Sequence, residues 1–142
     1  MGNLQRTNKS YALRVQKLTK NVTVADLTAA ATSQKIAFDE ALPADAFVFG
    51  AEIDVTTPLS GGGAASATAD LGENVGDADG YIDGANVFTG ASTPVSHPRG
   101  VQIPSQGASV TPAITVAANV NVNLLTAGDI TATVYYFRKT QV

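Results

Sequence analysis

The chain has 142 residues, enough for one domain with a single sizeable core. It is 44% hydrophobic and 15% charged with no Cys, which excludes disulfides and thiolate metal sites, and no apolar run approaches the ~18–20 residues of a membrane span. The net charge of −3 is unevenly spread: Arg6, Lys9, Arg14, Lys17 and Lys20 have no acid among residues 1–20, whereas residues 21–137 hold all twelve acids against Lys35 and Arg99.

A charged fraction well below the ~25% of ordinary globular domains points to surface covered by a partner. A basic arm on an acidic body suits an acidic neighbour, another copy of the chain included. Nucleic acid is not expected as a partner, because the body would repel phosphate and the arm has one aromatic residue. No membrane association is expected either.

Residues 1–10 are polar and unpatterned and read as an extended arm; they lack the apolar stretch of a secretory signal. Tyr11, Leu13 and Val15 alternate with Ala12, Arg14 and Gln16, which predicts a first strand. Val22 and Val24 follow, and the Ala29-Ala30-Ala31 run is predicted to be a short turn, since Thr28 and Thr32-Ser33 disfavour a full helix. Ile36 and Phe38 mark a short strand closed by Leu42-Pro43-Ala44-Asp45. The longest alternation covers residues 46–57. It predicts Phe47, Phe49, Ala51, Ile53 and Val55 on a core face, with Val48, Gly50, Glu52, Asp54 and Thr56 toward water.

Gly61-Gly62-Gly63 reads as a flexible hairpin turn, and Ala65, Ala67, Ala69 and Leu71 as the partner strand, its small residues opposite the two Phe. Periodicity then fades across residues 72–107, a long loop region with short strands expected at Val87-Phe88 and Val101-Gln102-Ile103. It returns at Ile114, Val116, Ala118, Val120, Val122 and Leu124, alternating with Thr115, Ala117, Asn119, Asn121 and Asn123. After a turn at Ala127-Gly128-Asp129, Ile130, Ala132, Val134 and Tyr136 share one face of a last strand, with Tyr135 and Phe137 on the other. Seven or eight strands with scarcely any helix predict an all-β, antiparallel two-sheet β-sandwich over residues 11–142, of jelly-roll or Ig-like type.

Few residues suggest chemistry. Asp77, Asp79 and Asp83 in D-A-D-G-Y-I-D overlap the middle of a calcium loop, but Val75 and Asn86 occupy its first and last ligand positions. The competing reading is that Asp-Gly pairs shape turns. A glycosidase pair would need facing carboxyls and aromatic platforms, and Tyr81 alone is near. His97, the sole histidine, lies in Ser96-His97-Pro98-Arg99, which is neither a nucleophile elbow nor, without Cys, part of a usual zinc set. The glycine tract lacks the Lys-Ser/Thr of a phosphate loop. Asn119, Asn121 and Asn123 would line one strand face, either solvated or as an inter-subunit hydrogen-bond ladder. No catalytic constellation assembles, so neither an enzyme nor a bound cofactor is expected.

Several segments taken together, V-T-V-A-D-L-T-A-A-A-T-S-Q-K-I-A-F (Val22 to Phe38), F-V-F-G-A-E-I-D-V-T-T-P-L-S-G-G (Phe47 to Gly62), S-A-T-A-D-L-G (Ser66 to Gly72), D-A-D-G-Y-I-D-G-A-N-V-F-T-G (Asp77 to Gly90) and L-T-A-G-D-I-T-A-T-V-Y-Y-F (Leu125 to Phe137), resemble small structural proteins from the head-gene clusters of tailed bacteriophages. The resemblance covers about three quarters of the chain, is one of style and segment order, and carries no site motif. It implies a non-enzymatic capsid decoration (cement) or minor head protein on the capsid exterior of a virion. Such a protein would form a homotrimer or homodimer and bridge subunits of the major capsid protein. The basic residues Arg6, Lys9, Arg14, Lys17 and Lys20 would then meet an acidic capsid patch or a sister subunit. A tail, neck or head-fibre component is the alternative, and a calcium-dependent carbohydrate-binding module a further one.

Overall fold

Alternating apolar side chains build strands because successive residues point to opposite faces, so one face can be buried while the other meets water. The computed structural model describes residues 11–89, 93–96 and 109–141. Its strands are β1 (Tyr11–Thr23), β2 (Ser33–Ala37), β3 (Ala46–Ser60), β4 (Ala67–Glu73), β5 (Ile82–Asn86), β6 (Thr93–Ser96), β7 (Pro112–Ala118) and β8 (Ala127–Gln141). They form two antiparallel sheets, ordered β1-β8-β3-β6 and β2-β7-β4-β5. Except between β4 and β5, each strand is followed in the chain by one in the opposite sheet. Two four-stranded sheets interleaved in this way are an eight-stranded jelly roll.

The core lies between the sheets. The first sheet contributes Leu18, Val22, Val48, Ala51, Ile53, Val55, Ile130, Ala132, Val134 and Tyr136, and the second Ala67, Ala69, Leu71, Ile82, Ala85, Ile114 and Val116. Leu27, Phe38, Leu42, Val87, Val122 and Leu125, from the connections, close the edges. Short Ala side chains on β4 face bulkier residues across the gap, which lets the layers interdigitate at the ~10 Å spacing of packed sheets.

Local polar contacts fix the turns. After β1, Asp26 accepts hydrogen bonds from the Thr23 backbone N–H (2.9 Å) and hydroxyl (3.2 Å), capping one 3-10 turn, Val24–Asp26. Gln34 then accepts from the amides of Thr28 and Ala29 and donates to the Asp26 carbonyl, each at 2.9 Å. The alanine run is therefore a side-chain-tied loop without a full helix, as its composition indicates.

Four expectations change. Phe47 and Phe49 are not core residues. The pairing of β3 with β8 slips by one residue between Val48 and Gly50, so Phe49 is the extra residue of a β-bulge. A bulge exchanges the two faces of a strand downstream of it. Ala46 and Val48 therefore point inward before it and Ala51, Ile53 and Val55 after it, while Phe49 is 40% exposed. Second, β4 pairs with β5 and β7, not with β3. The glycine tract carries the chain from one sheet to the other, with φ of +98°, +62° and +81° at Gly61, Gly62 and Gly63. Third, β7 ends at Ala118, and Val122–Leu124 is a 3-10 turn, so the three Asn do not share a strand face. Fourth, residues 72–107 hold β5 and β6, and Val87 is a buried plug just after β5; Val101-Gln102-Ile103 lies outside the described residues.

Candidate interaction surface

The acidic loop is a turn system. Asp70 accepts from the Gly84 amide at 2.7 Å, and the Asp77 carbonyl accepts from the Glu73 amide at 2.8 Å. Asn86 accepts from the amides of Phe88 and Thr89, closing the next bend. Among the described residues no group of three or more His, Cys, Asp or Glu is placed to hold a metal ion. The contacts of this loop are those of Asp-Gly turn chemistry. Buried beneath this loop, Tyr81 has its hydroxyl pKa pushed well above the usual 10.0, mainly by burial and then by the charges of Glu73 and Asp77.

His97, Arg6 and Lys9 lie outside the described residues. Of the other basic candidates, Arg14 and Lys17 are exposed on β1, and Lys20 pairs with Asp39 at 2.9 Å. Near the C-terminal end of β8, Arg138 pairs with Asp45 at 2.9 Å. Asn119 braces the fold: its side-chain oxygen accepts from the amides of Ala65 (2.8 Å) and Ser66 (3.1 Å), holding the connection into β4. Asn123 is exposed and Asn121 half-buried beside it.

The feature that stands out is the outer face of the first sheet. Register places Val15, Phe137 and Phe47 in one row across β1, β8 and β3. The next row holds Lys17, Tyr135 and the bulge pair Phe49-Gly50, followed by Thr19, Thr133 and Glu52. Phe47 and Phe137 stack with ring centroids 5.2 Å apart; Phe49 lies 5.9 Å from Phe137 and 6.4 Å from Tyr135. The Tyr135 hydroxyl donates to Glu52 at 2.8 Å. That bond first, and then partial burial and the Glu52 charge, raises the Tyr135 pKa. Val15, on the edge strand, is 69% exposed.

Such a strip is costly in water. Aromatic pairs gain about 0.5–1.5 kcal/mol from stacking beyond area burial, but their outer rims here remain wet. Contiguous exposed apolar surface rimmed by polar groups marks interaction sites. Half of the strip, Tyr135 and Phe137, follows from the alternation of β8. The other half was hidden by the bulge, and its one sequence signal is Gly50, since a glycine inside a strand pattern marks a bulge or a close approach.

No protein-family model matches the chain, and no curated protein sequence does. Among solved structures it is similar to a chain of the cyanophage Pam1 capsid asymmetric unit, with a TM-score of 0.55 and 18% identity over 90% of this chain and 86% of that one. At that identity the likeness concerns the fold.

Proposed function

We propose that the chain is a non-enzymatic structural protein of a phage virion, a decoration (cement) protein that sits on the capsid exterior and bridges major capsid protein subunits as a small oligomer. The observation that carries this reading is the aromatic strip Phe47–Phe137–Phe49–Tyr135 on the outside of a jelly roll. It offers contact area without catalytic groups. Fold alone does not assign function, but the structural likeness to a phage capsid chain supports this setting, as does the 15% charged composition.

Physically, a protein that straddles junctions present only in the assembled shell stabilises that shell by mass action. The basic stretch that includes Arg14 and Lys17 would add electrostatic steering toward an acidic neighbour. The test is the stoichiometry and position of the protein in purified particles by electron cryomicroscopy. Copies commensurate with the major capsid protein, on the outer shell, are expected. A single ring of copies at the neck, tail or a fibre would overturn the decoration reading and favour the other virion locations.

A further inference from the structure

We propose that the outer face of the β1-β8-β3 layer is where a second copy of this chain docks, about a two-fold axis running along β8. The inference takes the face to be an assembly surface, as above, but does not need a capsid.

The layout of the face argues for a copy of itself. β8 runs between β1 and β3 and contributes the central Phe137, Tyr135 and Thr133. The β1 flank carries Lys17 and exposed Val15, and the β3 flank carries Phe47, Phe49 and Glu52. A two-fold axis along the central strand lays β1 of one copy over β3 of the other. Val15 then meets Phe47, Phe137 meets its own equivalent, and Lys17 reaches the Phe49–Glu52 stretch, over an aromatic face and beside a carboxylate. Each contact between the flanks occurs twice and the Phe137 pair sits once, on the axis, as an isologous interface requires. A partner of one charge sign would match one flank and repel the other, whereas a copy related by two-fold symmetry matches both. Aligned packing of two sheets through their faces is the geometry already used inside the sandwich. The face is three strands wide, small for a permanent dimer, so a dimer that forms reversibly with concentration is expected.

The test uses full-length protein in sedimentation equilibrium. Wild type is expected to pass from monomer to dimer with concentration, and Phe49→Asp to weaken the dimer at least about tenfold. Lys17→Glu and Glu52→Lys separately place like charges across both contacts, and each is expected to weaken self-association by about tenfold. Mixed together they restore opposite charges at both contacts, so the mixture is expected to form a heterodimer that neither variant forms alone. Each variant is first shown to melt cooperatively. A wild-type monomer throughout, a trimer, a dimer indifferent to Phe49→Asp, or no recovery on mixing overturns the two-fold pairing. So does dimerisation gained on deleting residues 1–10, which would mean that the chain's own arm covers the face. Particle binding by a protein that stays monomeric would sink this pairing and leave the decoration reading standing; a dimer that never joins particles would do the reverse.

Discussion

Phe47 and Phe137 stack with their planes 15° apart on the outside of the sandwich, one strand over from each other, while Val48 and Tyr136, their next neighbours in the chain, are buried in the core. On β3 the extra residue at Phe49 is what puts Phe47 and Phe49 on the opposite face from Ala51, Ile53 and Val55, whose odd numbering they share.

That arrangement gives opposite expectations for neighbouring positions. Ile53→Ala empties a fully buried site and is expected to cost about 2–5 kcal/mol in denaturant unfolding. Phe49→Ala removes one stacked, 40% exposed ring and should cost about 1 kcal/mol. A larger loss at Phe49 than at Ile53 would mean that the bulge is misplaced.

The glycine connection yields a second pair. Gly62 has φ of +62°, and a methyl there would also run into the Leu124 carbonyl. Gly63 has φ of +81° but open space around it. Gly63→Ala is expected to cost about 1–2 kcal/mol from left-handed strain alone, and Gly62→Ala measurably more. Thermal melts of the two variants side by side make the comparison; equal losses would show that the Leu124 contact is absent.

Asn119→Ala withdraws the acceptor used by the amides of Ala65 and Ser66. A loss of about 1 kcal/mol is expected, against less than about 0.5 kcal/mol for Asn123→Ala on the exposed 3-10 turn. Similar values for both would return the three Asn to an equivalent, surface role.

Alkaline stability should depend on Tyr81. Its folded-state pKa is raised above 10.0, so the neutral phenol is the form the fold prefers. The associated stability is complete below the unfolded value of 10.0 and drains away as pH rises past it, because the unfolded chain ionises first. Tyr135, raised by its bond to Glu52, adds in the same direction. Tyr81→Phe is therefore expected to flatten the fall in melting temperature above pH 10, followed by calorimetry with phenolate absorbance. An unchanged alkaline slope would mean that Tyr81 is not buried as described.

Much of the architecture was legible in residue order. The alternations at Ile53 to Val55, Ala67 to Leu71, Ile114 to Val116 and Ile130 to Tyr136 each became a strand with the expected face buried, whereas Ala65, expected on the second of these, is exposed before β4 begins. What hid the rest was local geometry that period-two reading treats as uniform. The extra residue at Phe49 leaves the alternation of letters intact while exchanging its meaning, so the aromatic strip read as core. The run from Ile114 to Leu124 keeps its period past the point where the backbone leaves the sheet, because Val122 is buried from a 3-10 turn as completely as it would be from a strand. Pairing was harder still: Gly61 to Gly63 suit a hairpin and a sheet-to-sheet passage equally. Of the basic candidates, Lys17 shares the outer face of the sheet with the strip, Arg14 falls on the other parity of β1, and Lys20 pairs with Asp39 within the chain.

The position of β8 has a consequence for synthesis. The last strand is an inner strand of its sheet, with β1 on one side and β3 on the other. Until Ala127–Gln141 has left the ribosome, β1 and β3 lack their common neighbour, and Phe47, Phe49 and Val15 belong to no assembled face. Contacts spanning nearly the whole chain close slowly, since their loop entropy must be overcome before they contribute stability. The strip through which copies are proposed to meet thus comes into being only once β8 has been made, so shorter products do not present a face on which partners could pair prematurely.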